Sequence, residues 1–144
     1  MKRLRLSMLL AVLAVGLSVT VVNAGVTTTF IPGNPECAGA KIEDAAGGDV
    51  QSGTYAVDFD GFAGTITITV HQTASGPTFD FVTDSPSHVV DSVIVKGGPN
   101  ALLWTFDPPV SSATGLHAPL NVKNGKWYGL SHLCFETTKK SLPA

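Results

Sequence analysis

Thr65-Ile66-Thr67-Ile68-Thr69-Val70-His71 alternates threonine with an aliphatic residue until it ends at the histidine. A period of two is the signature of a strand with one face buried and one face wet. It sets Ile66, Ile68 and Val70 towards a core and Thr65, Thr67 and Thr69 towards solvent. β-Branched residues at every step reinforce the reading, because they lose little on an extended backbone.

The same pattern repeats on both sides of this stretch. Thr54 to Phe59 alternates with Tyr55, Val57 and Phe59 on one side. Phe79–Val82, Val89–Val95 and Leu102–Phe106 are further strand candidates, and Lys41-Ile42-Glu43 is a weaker one. Ser75-Gly76-Pro77, Asp84-Ser85-Pro86, Gly97-Gly98-Pro99-Asn100 and Asp107-Pro108-Pro109 separate them as breakers. Asn124-Gly125 predicts a two-residue hairpin joining Leu120-Asn121-Val122 to Trp127-Tyr128. Gly25 to Ile31, rich in β-branched residues and ended by Pro32-Gly33-Asn34-Pro35, reads as an edge strand or an arm leading to Cys37. The segment could also pair with the sheet edge of a neighbouring subunit. No amphipathic helix follows residue 24. The expected fold is all-β, an antiparallel β-sandwich or jelly roll.

The first residues stand apart from that fold. Lys2, Arg3 and Arg5 precede an uncharged apolar run from Leu6 to Val22, and Val22-Asn23-Ala24 offers small residues for a signal peptidase. This is a secretory signal peptide over residues 1–24, leaving one domain over 25–144. A retained anchor is the second reading, because the run of roughly 17 residues exceeds the usual 7–15 of a signal core. Its removal leaves six basic against eleven acidic residues, a formal net charge of −5. That balance excludes a basic footprint for nucleic acid and suits an anionic membrane surface poorly. The expected destination is the extracellular space or cell surface, with the periplasm as a variant.

Two cysteines in an exported chain imply one disulfide, Cys37 to Cys134. It would close nearly the whole domain, a loop for which chain entropy alone offers up to ~4.7 kcal/mol.

Three runs near the C-terminus are dense in residues that packing alone does not demand. They are Val93-Ile94-Val95-Lys96-Gly97-Gly98-Pro99-Asn100, Ser112-Ala113-Thr114-Gly115-Leu116-His117-Ala118-Pro119 and Asn124-Gly125-Lys126-Trp127-Tyr128-Gly129-Leu130-Ser131-His132. In this order they resemble a family of secreted bacterial proteins and surface-protein modules carrying "VKGG", "TGLHAP" and "YGLSH" motifs. The resemblance spans roughly residues 79–136, with a fainter match at Ile31–Cys37, and implies export and a β-rich module without implying catalytic residues.

His117 and His132 are the residues whose chemistry most invites a site, with Trp127 and Tyr128 beside them as candidate binding residues. Alternation puts His132 on the face of Leu130 and Cys134, so a core-facing disulfide would turn His132 inwards as well. As structural groups, the histidines would hold the 111–119 loop against the last strand. A metal centre would need both, with Asp91 or Asp107, since imidazole and carboxylate suit zinc or copper. A hydrolytic centre would need Ser111 or Ser112 with His132 and Asp107. Ser131 is a poor nucleophile for His132, because neighbouring strand residues point to opposite faces.

Asp58, Asp60, Asp80 and Asp84 could supply oxygen ligands to calcium, although Asp58-Phe59-Asp60-Gly61 lacks the rest of an EF-hand loop. Gly97-Gly98 forms a turn rather than a phosphate loop, since no Gly-Lys-Ser/Thr follows. Trp104, Trp127 and Tyr128 could form a carbohydrate platform if they share an exposed face.

The residues together predict a secreted, non-catalytic β-sandwich module that binds an extracellular protein or polysaccharide, or serves a structural role, and needs no cofactor. Self-association through the N-terminal segment is a further expectation. The alternative is a small secreted hydrolase or metal-dependent enzyme centred on His117 and His132.

Overall fold

The computed structural model describes residues 25–141, so the signal-peptide reading of residues 1–24 lies outside the described residues. Eleven strands and no helix make up this part of the chain. They are β1 (Gly25–Pro32), β2 (Ala40–Glu43), β3 (Gly53–Phe59), β4 (Phe62–Thr73), β5 (Gly76–Asp84), β6 (His88–Gly97), β7 (Asn100–Val110), β8 (Ser112–Leu116), β9 (Leu120–Asn121), β10 (Lys126–Trp127) and β11 (His132–Lys139).

All pairings are antiparallel. A five-stranded sheet runs β1-β7-β6-β11-β2, a four-stranded sheet runs β3-β4-β5-β8, and β9 with β10 forms a small ribbon. The two larger sheets pack face to face as a β-sandwich. The alternation read in β4 holds: Ile66 and Ile68 are buried, Val70 is half-buried, and Thr67 and Thr69 are exposed. Phe79 and Phe81 of β5 complete that inner face, opposed by Val93 and Val95 of β6 and by Leu133 and Phe135 of β11. The Phe81 ring meets Phe135 edge-on at 5.1 Å and Phe106 at 6.0 Å. Each such side chain contributes roughly 1.5–3 kcal/mol when fully buried.

The Cys37–Cys134 disulfide is formed, spanning 97 residues. It does not face the sandwich core. Leu133 and Phe135 take the inner face of β11, so Cys134 between them must point outwards, and it sits in a satellite cluster with Ile94 and Ala101 against Ile31, Cys37 and Leu103. The expectation that the bridge would turn His132 inwards is corrected by the same alternation. β6 is therefore covered on both faces, and Val93 to Gly97 is buried without a break.

Three turns refine the sequence reading, and the last two depart from it. Asp60 and Gly61 both have positive φ, 53° and 89°, and close β3 onto β4 as a two-residue hairpin. Asn124-Gly125 belongs to a wider loop, because Asn121 pairs with Lys126 and only Gly125 has positive φ, at 68°. Asn121 Oδ1 and Asn124 Oδ1 accept the amides of Lys123 and Lys126 across that loop. The breaker Asp107-Pro108-Pro109 does not end its strand. It lies inside a register shift, with Ser92 opposite Thr105 and Val90 opposite Val110, so the prolines occupy a bulge.

Candidate binding site

The three C-terminal runs pack on one another. β6 turns into β7 at Gly98-Pro99, with Gly98 at φ 59°, and Gly97 paired to Asn100. A side chain on Gly97 would meet Ala118 Cβ at 2.5 Å and the Gly129 carbonyl at 2.7 Å, and one on Gly98 would meet the Tyr128 ring at 2.6 Å. "VKGG" is thus the seat on which Ala118 of "TGLHAP" and Tyr128-Gly129 of "YGLSH" rest. Backbone bonds close the assembly: Tyr128 N–H donates to Pro119 O at 3.0 Å, and Ser131 N–H donates to Lys96 O at 2.9 Å. Lys96 Nζ donates to Gly98 O across the turn.

The segment expected as a loop over 111–119 is in large part a strand. β8 pairs with β5 and carries Ala113 and Leu116 inwards. Its position is pinned by Asp80, whose Oδ1 accepts Gly115 N–H at 2.9 Å and whose Oδ2 accepts His71 Nε2–H at 2.9 Å. The Gly115 bond, the largest effect, holds the Asp80 carboxyl below its ordinary value; burial opposes it, and the His71 bond and charge add smaller lowering effects.

His117 follows β8 directly and lies between two tryptophans. Its ring stacks on Trp127 with centroids 3.8 Å apart and planes at 10°. Trp104 meets it edge-on at 5.2 Å. Trp104 Nε1–H donates to the His117 carbonyl at 3.1 Å, and His117 Nδ1–H donates to Ala118 O at 2.8 Å. The ribbon that carries Trp127 docks on the β4–β5 turn, where Trp127 N–H donates to Ser75 O at 2.8 Å and Gly76 leaves no room for a side chain. Leu120, the cross-strand partner of Trp127, is 53% exposed. The three rings are half-buried, so the cluster presents fixed aromatic surface to solvent.

His132 lies elsewhere. Trp104 is on the core-facing side of β7, whereas His132 is on the outer face of β11, opposite Lys96 on one side and Glu43 on the other. The five-stranded sheet runs between the two histidines. Burial first, then the positive charges of Lys41 and Lys96, lower the His132 pKa from its usual 6.5, with Glu43 opposing.

The other candidates disperse in a similar way. Ser112 points out of the four-stranded sheet, since its neighbour Ala113 faces the core, so the sandwich separates it from His132. Asp91 and Asp107 line an open groove of about 530 Å³ on the outer face of the five-stranded sheet with Glu136, which neither His117 nor His132 lines. Asp58 and Asp60 serve the β3–β4 hairpin, whereas Asp80 lies in the middle of β5. Among the described residues, no group of three or more His, Cys, Asp or Glu side chains is placed to hold a metal ion.

Tyr128 belongs to the seat of the cluster rather than to its stacked rings. Trp104 and Leu120 join the candidate surface through the register of β7 and of the ribbon. Trp104 was legible as an aromatic on a strand, but no spacing linked it to His117.

One polar group stands out away from this cluster. His88 is fully buried between Phe59 and Phe62, with Nδ1 2.7 Å from Ser87 Oγ and Nε2 3.3 Å from the Asp60 carboxylate. Its ring contacts tie the β3–β4 hairpin to the start of β6, whereas Nε2, although near Asp60, makes no hydrogen bond among the described residues.

Compared with protein-family models, with curated proteins and with solved structures, the chain matches none of them.

Proposed function

We propose that this chain is an exported, non-catalytic β-sandwich module that binds an extracellular polysaccharide or protein through the surface around His117, Trp127 and Trp104. The observation that carries the reading is the half-exposed His117–Trp127 stack, braced by Trp104 and bordered by exposed Leu120. Aromatic rings held in one orientation lose little entropy on binding and offer broad apolar faces with polar edges, which suits sugar rings and protein hot spots. The disulfide supports an oxidising destination.

The test is titration of the exported protein with soluble polysaccharides and with extracellular surface proteins, followed by tryptophan fluorescence. Trp127→Ala is expected to weaken binding by about tenfold or more, in line with loss of an aromatic anchor. Binding unaffected by Trp127→Ala, or absent across both classes, would overturn the proposal.

A further inference from the structure

Four strands bound the two large sheets, and three of them are poor templates for another chain. β2 has 4 residues and carries Lys41 and Glu43. β8 has only 5 residues. β3 carries Asp58. Short length and charge are the ordinary devices that keep sheet edges from pairing. β1 has neither: it runs 8 residues, Gly25 to Pro32, without a charge, and all but Ile31 are exposed. One edge of β1 is paired to β7 along its whole length, and its other edge has no partner strand among the described residues.

The sequence of β1 is complementary to itself. In an antiparallel ladder a residue's N–H and C=O point to the same side, so across an outer edge only residues of like parity face one another as bonded pairs. Pairing two copies about Thr28 sets Val26 opposite Phe30, Thr27 opposite Thr29 and Gly25 opposite Ile31. Val26 and Phe30 are 51% and 56% exposed, and this register places each against the other's counterpart. Pro32, which cannot donate, falls outside the seven paired residues. The exported chain has a net negative charge, but the side chains of the edge are neutral and the register sets the Gly25 amine against Ile31, so two copies meet there without like charges in contact.

We propose that the exported protein forms a two-fold dimer by antiparallel β1–β1 pairing about Thr28, joining the five-stranded sheets of two copies into one of ten strands. The inference does not rest on the ligand-binding reading, although Thr28 is the cross-strand neighbour of Trp104 in that surface. A ladder of seven residues is at the small end of specific interfaces, so the dimer is a reversible, concentration-dependent one.

Sedimentation equilibrium over two decades of protein concentration reads this directly. The weight-average mass of the exported protein is expected to rise towards twice that of the monomer. Thr28→Lys, which sets like charges face to face on the two-fold axis, is expected to stay monomeric with an unchanged melting temperature. A doubly substituted Val26→Lys, Phe30→Lys protein and a Val26→Glu, Phe30→Glu protein should each be monomeric alone and associate when mixed, because the register puts position 26 against position 30. A wild-type protein monomeric throughout, a Thr28→Lys protein that still dimerises, or a charge-paired mixture that stays monomeric would each overturn the proposal.

Discussion

Gly98 shows how much of this protein depends on single residues. Its φ of 59° suits the first central position of a tight hairpin turn, and the Tyr128 ring occupies the space a methyl group would need. Gly98→Ala is expected to cost roughly 1–3 kcal/mol, from strained backbone and from displacement of Tyr128, and to lower the melting temperature accordingly. At His132 the sign of the pH effect follows from its lowered pKa. The unfolded chain takes up the proton more readily than the folded one, so the folded state loses stability as pH falls from about 6.5 through the folded pKa. An NMR titration should place the His132 midpoint below 6.5, and His132→Gln should flatten the stability profile in that window. A midpoint at or above 6.5 would contradict the assigned surroundings.

At the scale of elements, β8 is held by little burial and by several polar pins. Only Leu116 is fully buried in it, and its attachment relies on Asp80 at Gly115 and on Thr83 at Ser111. The Asp80 carboxyl titrates below its ordinary value, 3.8, in the folded state. Its contribution is fully present above the unfolded pKa and is lost as pH falls through the depressed folded pKa. Hydrogen exchange should therefore show Asp80→Ala loosening Gly115 and its neighbours while β4 and β6 stay protected. Equal loss of protection in β4 would show that β8 does not open on its own. The β9–β10 ribbon is a second dependent element, since two residue pairs cannot hold a hairpin without the β4–β5 turn and the tyrosine seat beneath it.

For the whole molecule, the decisive constraint is the Cys37–Cys134 bridge on the outer face of the five-stranded sheet. It ties the segment after β1 to the last strand, so opening it releases the Cys37 segment without touching the sandwich core. Cys37→Ser with Cys134→Ser is expected to cost up to ~4.7 kcal/mol, a large share of the ~5–15 kcal/mol that holds a domain together. Denaturant unfolding should show a lower midpoint, and circular dichroism should still report an all-β fold below that midpoint. A double variant as stable as the wild type would show that the bridge constrains neither state.

The sequence by itself determined that this is an all-β chain with one disulfide, because strand alternation is a local property and two cysteines admit one intramolecular pairing. Thr65 to Val70 needed no partner to declare which side was wet. It also marked the three C-terminal runs whose contacts build the candidate surface. Tertiary structure alone decided which face of β11 was the core: alternation separates Cys134 from Leu133 and Phe135 but cannot say which set is buried inside the sandwich. It alone brought His117 onto Trp127 and Trp104, residues related by strand pairing and not by spacing. His117 and His132, carried by two runs that pack together, are nevertheless divided by a sheet, because His117 lies with Trp104 on the inner side of the five-stranded layer and His132 on its outer face. Period-two patterns assign sides within a strand; only the packing of the layers assigns strands to one another.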